Sequence, residues 1–278
     1  MFKRIHRKVW AFDIEWVPDP LSGKRVYNID RELADEEIVK KMWEKGGATE
    51  EDPMPYLKTV LCRIVSISAV TRTERDNQVA LHLRSLPSNG KDRDSSNEGD
   101  ILSRFLNAVG EHKPQLVGYN SQSSDLKILM QRALVNGIQA TDFCRRPAKP
   151  WEGVDYFARG NDWHIDLREI LSGWGKSVPS LHEIASAAKI PGKMDIEGQQ
   201  VAQLWLRGKL DEIVRYNECD ALTTYLLWLR LAYFGGFFTA GQYEEEQERV
   251  RNLLKEKGND SDYQHLKRYL ERWEELSC

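Results

Sequence analysis

Residues 8–15, Lys8-Val9-Trp10-Ala11-Phe12-Asp13-Ile14-Glu15, constrain the fold of this chain more than any other stretch. The run is apolar and β-forming, and Pro18 and Pro20 end it, so it reads as an early strand. Successive side chains on a strand point to opposite faces, so Asp13 and Glu15 project together. Trp10, Phe12 and Ile14 occupy the other face and belong in a core. Two carboxylates side by side on an apolar strand repel unless a cation lies between them. By itself the pair is equally a strand edge carrying two solvated acids.

The pattern downstream narrows the architecture. Residues 60–70 and 78–83 predict two more strands. Helical spacing of Ile101, Leu102, Phe105, Leu106 and Val109 predicts an amphipathic helix ending at Gly110. A short apolar strand is expected over 115–119 and a helix over 125–135, stopped at Asn136-Gly137. Further helices are expected near 180–189, 198–207 and 209–233, with Gly235-Gly236 breaking the pattern. Residues 28–52 read as a charged, mostly helical insertion closed by Pro53 and Pro55. Residues 88–99 have loop composition, and 141–160 read as an irregular loop. Three early strands, a helix, a strand and then helices do not alternate as β-α-β units. They predict a mixed sheet with helices on both faces, an α/β fold.

Beyond residue 240 the chain is charge-dense, with Leu253, Leu254, Leu266, Tyr269, Leu270 and Trp273 at helical spacings. We read a main domain over 1–240 and a charged helical C-terminal extension over 241–278, packed on the body. That extension is also a candidate surface for a protein partner or self-association.

Composition excludes several classes. Of 278 residues, 41% are hydrophobic and 30% charged, as in globular proteins and unlike disordered ones. No apolar run approaches the roughly 20 residues that cross a bilayer. The basic start, Met1 to Lys8, leads straight into a strand without a signal peptide's apolar core, so a cytoplasmic location is expected. Cys62, Cys144, Cys219 and Cys278 are scattered with no C-x-x-C pair, which signals neither a zinc site nor a disulfide framework. A formal net charge of −3 does not advertise a nucleic-acid binder. A carboxylate site that recruits divalent cations can still hold phosphate, because the metals invert the local field.

Two more elements carry candidate chemistry. Tyr216 and Asp220 are four apart in a predicted helix and share a face, where they can hold a metal and its water. Alone they also fit a core tyrosine beside an exposed acid. In Gly118-Tyr119-Asn120-Ser121-Gln122-Ser123-Ser124-Asp125 the chain leaves a strand and enters a helix, where Asp125 fits an N-cap. Asn120, at the strand's C-terminal end, is a candidate substrate contact.

Asp-x-Glu on the first strand, Asn-x4-Asp at a strand–helix junction and Tyr-x3-Asp on a late helix, in that order, resemble the DEDD exonuclease superfamily. The tyrosine marks the tyrosine-type branch; the histidine-type branch has His where this chain has Arg215. His164-Ile165-Asp166-Leu167, Ser180-Leu181, Pro191-Gly192-Lys193, Gly198-x-x-Val201 and Ile213-x-x-Tyr216-x-x-x-Asp220-x-x-x-Thr224-Tyr225 narrow the resemblance. They look like the predicted 3′–5′ exonucleases related to the proofreading domain of family-B DNA polymerases. The resemblance spans roughly residues 8–238, and the tail after about 240 has no recognised counterpart. Trp16 replaces the usual Thr after Asp-Ile-Glu, and Ser121 and Ser124 replace the usual Gly and Phe of the second motif.

The resemblance implies a ribonuclease-H-like mixed sheet flanked by helices and a 3′–5′ exonuclease acting on single-stranded nucleic acid, with DNA favoured over RNA. No helicase-and-ribonuclease-D-C-terminal-like domain is evident, which also favours DNA. It implies two divalent cations, Mg²⁺ or Mn²⁺, about 3.5–4 Å apart, since oxygen-only ligands suit these ions. Asp13 is then expected to bridge both, Glu15 and Asp220 to complete the first site, and Asp125 to hold the second. Tyr216 is expected to orient the attacking water, and nucleoside 5′-monophosphates to leave from the 3′ end. Trp16, Asn120 and Lys193 are candidate substrate contacts, although Trp16 also fits a core position and Lys193 a solvated loop. The rivals are an RNA exonuclease of ribonuclease D type and a nucleic-acid-binding module without catalysis.

Overall fold

The computed structural model describes residues 1–88, 97–149, 151–158, 160–172, 177–194 and 198–277. Its first regular element is β1 (Lys8–Pro18). Asp19 then caps α1 (Pro20–Tyr27), its carboxylate accepting the N–H groups of Leu21 and Ser22 at 3.3 Å each. Pro20 therefore starts a helix at the position where a missing N–H costs nothing, besides ending the strand. The charged insertion holds α2 (Asp35–Lys45), followed by a 3-10 turn at Thr59–Leu61. β2 (Cys62–Arg75) and β3 (Gln78–Leu86) form a hairpin. Asp76 and Asn77 both take positive φ there, as a two-residue turn matched to strand twist requires.

After the hairpin come α3 (Glu98–His112), β4 (Gln115–Gly118), α4 (Asp125–Val135) and the short α5 (Thr141–Cys144). β5 (His164–Asp166) leads directly into α6 (Leu167–Leu171) and then α7 (Leu181–Ala187). A 3-10 turn at Gly198–Gln200 precedes α8 (Val201–Leu206), and α9 (Leu210–Phe234) is the longest helix described. α10 (Ala240–Gly258) and α11 (Gln264–Ser277) close the chain around a 3-10 turn at Ser261–Tyr263. Most of the expected loop over 88–99, and Cys278, lie outside the described residues.

The five strands form one sheet in the order β3-β2-β1-β4-β5. β1 runs antiparallel to β2 and parallel to β4, and β5 is parallel to β4. This is the mixed, ribonuclease-H-like sheet the resemblance implies, with one strand more than local periodicity predicts. β5 has three residues, too few for any alternation to register, and its strand character comes from pairing with β4.

β1 divides the core. Phe12 and Ile14 pack against Ile101, Leu102, Phe105, Leu106 and Val109 of α3 and Leu126, Ile128 and Leu129 of α4. Trp10 is only partly buried and meets His112 edge-on at the end of that layer. On the opposite face Val9 and Ala11 pack with Leu222, Tyr225 and Leu226 of α9. Each fully buried valine, leucine, isoleucine or phenylalanine among them contributes about 1.5–3 kcal/mol. The same layer takes in Val250, Leu253 and Leu254 of α10 and Leu266, Tyr269, Leu270 and Trp273 of α11. Arg72 of β2 fastens α10 through a buried ion pair, its Nη2 lying 2.8 Å from Glu246 Oε1. Among the described residues no helix is long and apolar enough to cross a membrane.

Candidate active site

On the α9 face of β1 the apolar residues Val9 and Ala11 give way to Asp13 and Glu15. Opposite them on β2 stand Ser68 and Ser66, both fully buried, which leaves room and polarity beside the acids. A register shift between Glu15 and Trp16 then bends the strand past the site. Beyond it Val17 and Val65 pack with Ile213, Val214 and Tyr216 of α9 and Trp205 of α8, fixing where the first half of α9 crosses the sheet. That crossing delivers Asp220. Carboxylate oxygens of Asp13, Glu15 and Asp220 all lie within 4.8 Å of one another.

Asp125 reaches the same place from the other side of β1. Ser124, not Asp125, occupies the N-cap of α4 and makes no capping bond with its side chain. Asp125 is the first helical residue, 4% exposed, and Ser124 Oγ lies 3.3 Å from its Oδ2. The simple N-cap account of Asp125 therefore does not hold. Asp125 stands outside the tight group of three, yet Asp13 and Glu15 both feel its charge.

Electrostatics mark the group as incomplete. Burial, then repulsion from Glu15, Asp220 and Asp125, pushes the Asp13 carboxyl well above the usual range. Glu15 is pushed well up by burial and by Asp220 and Asp125. Burial raises Asp125 to about 7, although its own N–H and that of Ile14 pull it down. Asp220 rises to about 6 by burial, held back by the Tyr216 hydroxyl and the Lys193 charge. Four acids so close in a low-dielectric setting do not all ionise together unless positive charge joins them. An all-oxygen donor set of this kind fits hard divalent cations such as Mg²⁺ or Mn²⁺. Tyr216 is shifted upward by burial and by Asp220, Glu15 and Asp13, so its hydroxyl stays protonated and serves as a donor.

Local reading of the sequence passes over one residue here. Asn217 is fully buried. Its Nδ2 donates to Asp13 Oδ2 at 2.7 Å, and its Oδ1 accepts from Ser66 Oγ at 2.9 Å. The serine thus sets the amide's orientation, and the amide sets the carboxylate's. Only its place between Tyr216 and Asp220 hints at this in the sequence.

The remaining sequence candidates separate. Lys193 is exposed at the mouth, where its charge lowers Glu15 and Asp220. Trp16 is partly buried against the α3 layer and borders a small hollow with Trp43, Tyr56 and Gly198. Asn120 takes positive φ, and its Oδ1 accepts from Arg168 Nη1 at 2.5 Å. Asp166 is a loop organiser: it accepts the N–H groups of Asn120, Gln122 and Arg168 at 2.9 Å each. Buried His164, pushed down to about 3 by burial and Lys127, is neutral and bridges Ser121 and Gln122 at 2.8 Å each. Ser121, a departure from the family pattern, is thereby part of the support for the loop before Asp125.

Comparison with protein families gives one match, over residues 54–273. It includes Asp125, Tyr216 and Asp220, and it begins after β1, so Asp13 and Glu15 stand with them through the sheet register. It also runs through α10 and most of α11, farther than the resemblance traced by motifs. A comparison with curated proteins found no match. With most of its length matched, the chain belongs to the family of predicted 3′–5′ exonucleases related to the exonuclease domain of PolB.

Proposed function

We propose that the chain is a metal-dependent exonuclease that removes nucleoside 5′-monophosphates from the 3′ end of single-stranded DNA. The observation that carries this reading is the meeting of Asp13, Glu15 and Asp220 within 4.8 Å, beside Asp125 and Tyr216, in a chain of this family. Asp13, Glu15 and Asp220 would hold one divalent cation, and Asp125 together with Asp13 a second. Bound cations of this kind supply Lewis-acid stabilisation of a phosphodiester and an acidified water.

The protein's own part is positioning. Asn217 holds Asp13 through Oδ2, which leaves the other carboxylate oxygen for a ligand. The protonated Tyr216 hydroxyl donates to Asp220 and would orient the attacking water by accepting a hydrogen bond from it. Lys193 adds positive charge at the mouth, where a phosphate enters. Trp16 presents an aromatic edge near the end of β1, and stacking on a terminal base contributes about 1–3 kcal/mol in single-strand binders. We place the protein in the cytoplasm, in keeping with scattered cysteines of which Cys62, Cys144 and Cys219 form no disulfide. The tail's apolar residues are buried in the body, so a protein partner or second copy would meet its charged face.

The test is digestion of matched, 5′-labelled DNA and RNA single strands with manganese. Stepwise shortening of DNA from its 3′ end, abolished by Asp13→Ala in a folded protein, is the expected result. Preference for RNA would overturn the choice of substrate. No shortening of either strand would overturn the enzyme reading.

A further inference from the structure

The formal net charge of −3 conceals a basic face. On the α3 side of the sheet, register sets Phe12 beside Ala69 and Arg84, Trp10 beside Thr71 and His82, and Lys8 beside Thr73 and Ala80. α3 packs over Phe12 but ends at His112, which meets Trp10 edge-on. The rows of Trp10 and Lys8 therefore lie open as a groove of about 720 Å³, with His82 and Arg84 exposed on β3. Lys8 and His112 also wall an adjoining hollow of about 420 Å³, which runs on to Arg4, Arg7, Lys113 and Trp163.

Six cations line the two together: Arg4, Arg7, Lys8, Arg75, Arg84 and Lys113. Among the described residues none of the six is in an ion pair, and Lys8 donates only to the His112 carbonyl, at 3.1 Å. Three acids stand nearby: Asp76 in the hairpin turn, Glu111 in the last turn of α3, and Asp162, whose carboxylate accepts the Lys3 N–H at 2.8 Å. Positive charge is thus in excess. Trp10, His82, His112 and Trp163 set flat rings among these cations. Charge that tracks a phosphate backbone, interleaved with rings that bases can stack on, is how single strands are held without regard to sequence. The groove lies apart from the carboxylates: Lys8 is about 17 Å from Asp13 along β1 and on the other face of the sheet.

We propose that this groove holds the phosphodiester backbone of the strand being digested, upstream of the 3′ end engaged at the carboxylates. This rests on the exonuclease reading for which strand enters, and gives the outer half of the hairpin and the end of α3 a share in substrate grip. The same chemistry would hold a second strand, and the experiment separates the two sources.

Full-length protein carrying Arg7→Gln, Arg84→Gln and Lys113→Gln together, checked for unchanged melting, is compared with wild type on a long fluorescent oligothymidine in EDTA. Without metal the carboxylates repel phosphate, so this binding reads the groove. Loss of three phosphate contacts should lower the slope of log affinity against log salt by about 2, and Arg84→Gln alone by about 0.7. With the proteins equal near 1 M salt, the triple variant should bind about 100-fold more weakly at about 0.1 M. In manganese its KM for the long strand should rise with kcat unchanged. A trinucleotide, whose phosphates stay at the carboxylates, should be cut as by wild type. Unchanged affinity in the variants, wild-type protein that binds no strand in EDTA, or equal displacement of the strand by a polyglutamate peptide of matched charge would overturn the groove as a nucleic-acid site. Weaker binding with an unchanged KM would assign it to a second strand and overturn the upstream one. Wild-type protein that binds strands through these residues but never shortens them would sink the exonuclease reading and leave the groove standing.

Discussion

Truncating Asn217 to alanine is the sharpest probe of how the carboxylate group is held. Asn217 is fully buried and spans Asp13 Oδ2 at 2.7 Å and Ser66 Oγ at 2.9 Å. Two separable losses follow. Asp13 loses a bond to a charged acceptor, about 1.5–3 kcal/mol, or roughly 10- to 150-fold if all of it is expressed at the site. Ser66, fully buried, keeps a hydroxyl without a partner, which costs the fold about 1–3 kcal/mol. Unfolding entropy of about 2 cal/mol/K per residue makes the second loss about 2–5 °C in Tm. The assay is a manganese titration read both by metal binding and by the rate of 3′-end release. The expected result is a midpoint moved up tenfold or more, with a smaller change in rate at saturating manganese. Adding Ser66→Ala to Asn217→Ala should recover melting without restoring the manganese midpoint, because it removes only the stranded hydroxyl. A midpoint within twofold of wild type, with melting lowered all the same, would show that Asn217 merely fills the core.

Two further outcomes test the electrostatics and the tail. Because Asp125 and Asp220 are raised to about 7 and about 6, the folded metal-free protein binds more protons than the unfolded chain, so stability falls as pH rises through these values. Between pH 7 and 8, where unfolded histidines are already mostly neutral so that His164 contributes little, Tm of EDTA-treated protein should drop, and manganese should restore it at pH 8; a Tm that climbs with pH in EDTA would contradict the buried-acid account. Glu246→Gln removes the carboxylate that faces buried Arg72, which keeps its 3.1 Å pair with Glu74, so the loss is that of a charge-assisted bond, about 1.5–3 kcal/mol. Circular dichroism should show one transition lowered by about 3–5 °C. A body melting as in wild type, with a separate early loss of α10 and α11, would instead favour an independent extension from residue 241.

Much of the frame was legible in the sequence, and the reasons are local. β1 declares itself because alternation and prolines act within ten residues, and α3 and α4 because their apolar stripes repeat over three turns. α1 was missed since its start depends on the Asp19 cap, which turns Pro20 from a stop into a beginning. β5 escaped because three residues carry no period, only a neighbour.

The site divides the same way. Residue types and their order along the chain marked Asp13, Glu15, Asp125, Tyr216 and Asp220, but each pair alone was open to a duller explanation. Folding decided among them: the sheet register and the crossing of α9 bring Asp13, Glu15 and Asp220 within 4.8 Å, and Ser124 takes the cap from Asp125. Asn217 is set to its task by Ser66, 151 positions away, and α10 is bound to β2 by Arg72 and Glu246, 174 apart. The sequence by itself determined which side chains could do acid and metal chemistry and which stretches would be strands or helices, since those follow from residue type and short spacing. Tertiary structure alone decided which acids meet, which residue orients Asp13 and that α10 and α11 share the body's core, because those contacts join residues far apart along the chain, beyond the reach of local periodicity.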